Sequence, residues 1–135
     1  MKKHIDISTF LYIAIIFIIY LLGTSSCLSQ EFITSNNFND KIAKDITVVE
    51  FWAGWNESNQ FNELNKLKDC NTYRFDIMSY MDVQTDYNVT AIPTLIVFDN
   101  GVEKIRFNPN VMFQLEADKK TIQHSIDTLT LNKFQ

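Results

Sequence analysis

The spacing of apolar residues changes several times along the chain, and each change marks an element. Residues 10–22 form an unbroken apolar run of 13. From residue 31 the apolar positions become sparser and periodic. Residues 31–34 read as a short strand. Phe38 and Ile42, four apart, predict a helix that starts at Ser35 or Asn36 and runs to Lys44, with either polar residue as its cap. Residues 46–52 are β-branched and aromatic, apolar on both sides of Glu50, which is the pattern of a central strand covered on both faces. Phe61, Leu64 and Leu67 recur at helical spacing within residues 57–68. Asn56 or Ser58 serves as the cap there, and Glu57 and Lys68 sit at the ends that the helix dipole favours.

Alternation returns at residues 72–78 and predicts another strand. Residues 79–87 form a short helical connection with Asp82 and Asp86 four apart. Residues 93–98 are a strong strand. Asn100-Gly101 supplies the positive φ angles of a tight hairpin, with residues 102–107 as the returning strand. Asn108-Pro109-Asn110 breaks that strand. Val111, Phe113 and Leu115 then alternate with Met112, Gln114 and Glu116, so an extra edge strand is expected near 111–116. Asp118 caps a last helix with Ile122, Ile126 and Leu129 on one face. Strands alternating with helices, then a hairpin and a helix, make an α/β sandwich with a mixed sheet.

Composition narrows the class further. The chain has 135 residues, 46% of them hydrophobic and 21% charged, which fits one folded domain and excludes a disordered chain. Taking away Lys2, Lys3 and Asp6 with the first 29 residues leaves ten basic against fifteen acidic residues, a net charge of −5. An acidic domain without a basic stripe argues against nucleic acid as partner. Two cysteines, Cys27 and Cys70, are too few for a disulfide framework or a Cys-rich zinc site, and no metal or other cofactor is expected.

The first 29 residues read as a targeting element. Lys2 and Lys3 precede the apolar run, and Gly23, Thr24, Ser25, Ser26 and Cys27 follow it, the order of an export signal. Thirteen apolar residues are few for a membrane span, which takes about 20. Cleavage after Ser29 would release a soluble protein. Cleavage before Cys27 would leave that cysteine lipidated, although Thr24 stands where a bacterial lipobox usually has Leu. Retention as an anchor is the third fate, and any membrane contact is expected through this segment only. The domain itself spans residues 30–135. Export with an Asn-, Ile- and Lys-rich, glycine-poor composition suggests a bacterial protein of the periplasm or cell envelope.

Four features together resemble the thioredoxin family. Val49-Glu50-Phe51-Trp52-Ala53-Gly54-Trp55 is similar to the strand and loop that lead into the family's active site. Tyr87-Asn88-Val89-Thr90-Ala91-Ile92-Pro93-Thr94 is similar to its segment ending in Ile-Pro-Thr. Leu95 to Gly101 matches the hairpin that follows, and the order and spacing of the pieces, with the closing helix, match across residues 31–130. The resemblance implies a three-layer sandwich, a central mixed sheet flanked by helices.

The resemblance fails at the chemistry. The family's Trp-Cys-Gly-Pro-Cys reads here Trp55-Asn56-Glu57-Ser58-Asn59. Disulfide exchange needs a thiolate at the helix start and a second thiol to resolve the mixed disulfide. Asn56 and Asn59 supply neither, so no catalytic residue is assigned. What remains is either a capped, solvated helix start or a binding surface formed by Trp52, Trp55, Asn56, Glu57, Ser58 and Asn59. The resemblance also implies a cis Pro93, a buried acid at Glu50 with Arg74 as its neighbour, and a backbone at Ala91, Ile92, Pro93 and Thr94 that pairs with extended peptides. That pairing is strand addition, which needs no cysteine. Residues 56–78 are shorter than in the family and 108–116 longer.

Cys70 follows a predicted helix end beside Asp69 and Lys68, where nothing lowers a thiol pKa. It reads as an inert thiol, with a monothiol or intermolecular role as the alternative. His124 has no second ligand nearby in sequence. Asn56-Glu57-Ser58 and Asn88-Val89-Thr90 match the glycosylation triplet, a common chance pattern. The reading is an exported thioredoxin-like protein without oxidoreductase activity that binds a protein or extended peptide. Its rivals are a monothiol redox protein and a structural subunit of an envelope complex. The sequence leaves the oligomeric state open.

Overall fold

The structure, a computed structural model, describes residues 29–133. The expectations for residues 1–28, Cys27 included, lie outside the described residues. The element order is β1 (Phe32–Ile33), α1 (Ser35–Ile42), β2 (Ile46–Trp52), two 3-10 segments (Gly54–Asn59 and Leu64–Lys66), β3 (Asn71–Asp76), α2 (Met81–Asp86), β4 (Thr94–Asp99), β5 (Val102–Phe107) and α3 (Lys119–Asn132).

One five-stranded sheet carries the fold, in the order β1-β3-β2-β4-β5. β1, β3 and β2 pair in parallel, whereas β4 pairs antiparallel with both β2 and β5. β2 is buried along its length up to a half-buried Trp52, as its apolar run requires. Its side chains alternate between two cores, one on each face of the sheet. Val49 and Phe51 join Phe75, Ile96 and Phe98 from the strands, with Phe38 and Ile42 of α1 and Val83 of α2. Ile46 and Val48 join Leu95 and Val97, with Leu64, Leu67, and Ile122 and Ile126 of α3. Helices on both faces of a mixed sheet give the three layers.

Local chemistry sets the element ends. Thr34 precedes α1, and its N–H donates to Asn37 Oδ1 at 2.8 Å, half of a capping box. Asp118 accepts from Thr121 N–H at 2.8 Å and starts α3. Asn100 (φ 48°) and Gly101 (φ 83°) make the hairpin turn. That turn is tied back to α1, where Gly101 N–H donates to Ile42 C=O at 2.8 Å.

Two predicted elements are absent from the described residues. The helix over 57–68 is replaced by the two short 3-10 segments. Asn56 has non-helical angles (φ −115°, ψ 26°), and the short polar side chains bond locally, Asn59 Nδ2 to Asn56 Oδ1 at 2.8 Å and Gln60 Nε2 to Asn62 Oδ1 at 3.1 Å. Such bonds compete with helical ones. Leu64 and Leu67 still bury, so the spacing reported contact with the core rather than a helix. The strand near 111–116 is a loop. Asn110 Oδ1 accepts from Met112 N–H at 2.9 Å and Gln114 N–H at 3.1 Å, and Asn110 N–H donates to Gln114 C=O at 2.8 Å. These bonds close the segment on itself, leaving one isolated bridge between Pro109 and Leu115.

Phe38 is the hub of the first core, with Phe51, Phe75, Tyr87 and Phe98 at centroid distances of 5.9, 5.3, 5.3 and 6.1 Å. Phe38→Ala is expected to destabilise the domain by about 3–5 kcal/mol. Urea denaturation followed by tryptophan fluorescence measures this, and a loss below about 1 kcal/mol would contradict the hub assignment.

Candidate functional site

Glu50 is the charged residue of β2 and has no exposed surface. Its register partner on β3 is Arg74, only 7% exposed. Arg74 Nε and Nη2 both reach Glu50 Oε2 at 2.7 Å. Glu50 Oε1 accepts from Phe61 N–H at 2.7 Å, and Arg74 Nη2 donates to Phe61 C=O at 3.3 Å. Burial pushes the Glu50 carboxyl above its ordinary range, while Arg74 and the Phe61 N–H pull it back. All of these bonds run within the fold, and no thiol lies among them.

Above this pair the chain leaves β2 at Ala53 and turns through Gly54–Asn59. Trp55 is 60% exposed, and Glu57 and Ser58 are exposed. Asn56 is buried at 6% exposure and fully bonded. Its Nδ2 donates to Ile92 C=O at 3.3 Å and to Phe113 C=O at 3.0 Å, and its Oδ1 accepts from Asn59 Nδ2. One amide therefore joins three loops. No α-helix starts here: the segment is a six-residue 3-10 stretch with a kink at Asn56.

The Ile92–Pro93 peptide bond is cis. Ile92, Pro93 and Thr94 are buried and Ala91 is half-buried, with Thr94 Oγ1 bonded to Ala91 C=O at 2.7 Å. Within the 91–94 backbone that the resemblance assigns to peptide pairing, the Ile92 carbonyl accepts from Asn56 Nδ2. Phe113 packs edge-on against Trp55 at 5.6 Å and has φ 56°, a left-handed angle costly for a bulky residue. The closed loop and the Asn56 bond hold it there.

Comparison with known proteins agrees with this architecture. The thioredoxin family model matches residues 29–127. The chain belongs to the thioredoxin family. It is 34% identical over 70 residues to the thioredoxin of Mycoplasma genitalium, covering 47% of this chain and 69% of that one. It is 32% identical over 82 residues to a Saccharomyces cerevisiae thioredoxin, covering 54% and 78%. A variant thioredoxin from Halobacterium salinarum superposes with a TM-score of 0.59 at 18% identity, covering 73% of this chain and 88% of that one. A designed protein superposes at 0.61 with 19% identity, covering 76% and 98%. These two likenesses concern the fold alone.

The other candidate residues lie apart from the loop that carries Asn56. Cys70 precedes β3 at the opposite end of the sheet, half-buried, and burial with Asp69 and Asp127 pushes its thiol up to about 12. His124 is exposed on α3. Of the two glycosylation triplets, Asn56 is buried and bonded, whereas Asn88 is exposed. Sequence reading missed Asn110, Val111, Met112 and Phe113 as site residues. The lengthened segment after Asn108 was the signal, but it pointed to a strand.

Asn56→Ala removes the donor shared by two carbonyls and the acceptor for Asn59. A loss of about 1–3 kcal/mol is expected. A faster hydrogen exchange confined to the 108–116 loop and the residues around Asn59 would accompany it. An unchanged stability and exchange pattern would show that Asn56 does not tie the loops.

Proposed function

We propose that this thioredoxin-family chain is an exported binding module of the cell envelope that performs no dithiol–disulfide exchange. The observation that carries this reading is Asn56. It stands where the family's attacking thiol belongs, and its amide is spent on Ile92, Phe113 and Asn59. A carboxamide is no nucleophile, and no α-helix follows it to lower a thiol pKa.

Support for binding comes from what surrounds that residue. Trp55, Val111, Met112 and Phe113 expose large apolar surface next to the vestigial site, where a structural role elsewhere on the molecule has no use for it. The partner is a protein or peptide that meets this outer surface, since the backbone at Ile92 and Pro93 lies covered. Export rests on the charged, apolar and small-residue order of the first 29 residues. The monothiol alternative is disfavoured by Cys70. With its thiol pushed up to about 12, only about one part in ten thousand is thiolate at pH 8.

Two measurements test the reading. The full chain in non-ionic detergent is expected not to accelerate insulin reduction by dithiothreitol, and Cys70→Ser is expected to change nothing. Acceleration abolished by Cys70→Ser would overturn the non-redox reading. A photo-crosslinking residue in place of Val111 is expected to give a discrete protein adduct in the native envelope, with none from Val102 at the other end of the sheet. Adducts from both positions alike, or from neither, would overturn the binding reading.

A further inference from the structure

β1, β3, β2 and β5 run in one direction and β4 in the other, so their connecting loops gather at one end of the sheet. Residues 53–60, 77–82, 91–93 and 108–117 make up that end. Among the described residues nine large apolar side chains are exposed, and six of them fall in these stretches: Trp55, Met78, Met81, Val111, Met112 and Phe113. The stretches are joined. Phe113 packs on Trp55, Asn56 ties Phe113 to Ile92, and Ile77 N–H donates to Trp52 C=O at 3.0 Å. Phe32 adds an exposed edge against Trp52 at 5.5 Å.

Within these stretches the charges have one sign, and Lys119 and Lys120 enter only beyond them, with Asp118, in the first turn of α3. The same four stretches hold Glu57, Asp82 and Glu116 and no Lys or Arg. All three carboxylate residues are exposed. Nearby arginines offer no compensation, because Arg74 is bound to Glu50 and Arg106 to Glu103. Resting on the binding-module reading, we propose that this end of the sheet docks a basic amphipathic segment of a partner protein, with large apolar residues on one side and Lys or Arg at its margins.

The chemistry selects that partner. Aromatic side chains anchor an interface rigidly, and methionines adapt to the shape of what they meet. Carboxylates at the rim attract cationic residues and make an acidic partner costly. They likewise repel an anionic lipid surface and the phosphates of nucleic acid.

Fluorescence anisotropy with two labelled amphipathic peptides tests this. They share the same Leu and Trp positions and carry either Lys or Glu at every polar position. The full chain in non-ionic detergent is expected to bind the Lys peptide at least about tenfold more tightly than the Glu peptide. The pair Trp55→Ser and Phe113→Ser is expected to weaken binding of the Lys peptide at least about tenfold. Because those two rings brace each other, Val111→Ser, at a side chain 96% exposed, gives a second variant that leaves the loop folded and is expected to weaken binding too. Glu57→Lys with Glu116→Lys is expected to erase the preference for Lys. Equal binding of the two peptides, binding indifferent to these replacements, or no binding of the Lys peptide would each overturn the proposal. If the Lys peptide fails while Val111 still crosslinks to a partner, the partner's chemistry is wrong and the binding module stands.

Discussion

A carboxylate without exposed surface, set in the middle of the central strand, has to find its bonds in the protein itself. Glu50 finds them in Arg74 of the neighbouring strand and in the Phe61 backbone, which Arg74 also holds. A buried charge left alone would cost several kcal/mol, so the segment above it is obliged to pass close by. This obligation stands in for the helix that the segment lacks. It positions residues 53–67 by a polar anchor at Phe61 and apolar anchors at Leu64 and Leu67, and the loop carrying Trp55 and Asn56 is suspended between that anchor and the end of β2.

From that loop the second organising bond set extends outward. Asn56 faces inward, whereas its neighbours Trp55 and Glu57 face solvent. Its amide is a structural joint between the loop, the cis-proline turn and the lengthened segment after β5. The outer surface of that joint is apolar and acidic, whereas its inner surface is hydrogen-bonded and closed. The Asn56 amide fills the space between the three loops from within.

The strands, the hairpin and the last helix were legible in the sequence because their signals are local. β2 reads as a buried run, Asn100-Gly101 as a hairpin, and Asp118 with Ile122 and Ile126 as a capped amphipathic helix. The two misread stretches share a cause. At 57–68 and 111–116 the apolar spacing is real, but Asn and Gln side chains bond to nearby atoms and override it. Val111 and Phe113 alternate in residue type without alternating in burial. The adjacency of Glu50 and Arg74 was legible from the family resemblance, since neighbouring strands set it. The joint at Asn56 was not, because its carbonyl partners lie 36 and 57 residues away and one belongs to a loop whose shape depends on Asn110.

The bonds of Asn56 also bear on how far this end of the sheet can change one residue at a time. A replacement at position 56 that cannot donate to both carbonyls releases two distant loops at once, with the lengthened segment freed and its left-handed phenylalanine unsupported. A cysteine placed there would meet that cost before any second thiol could act with it. Substitutions in the three loops are thereby coupled, and each is accepted or rejected against the asparagine already in place.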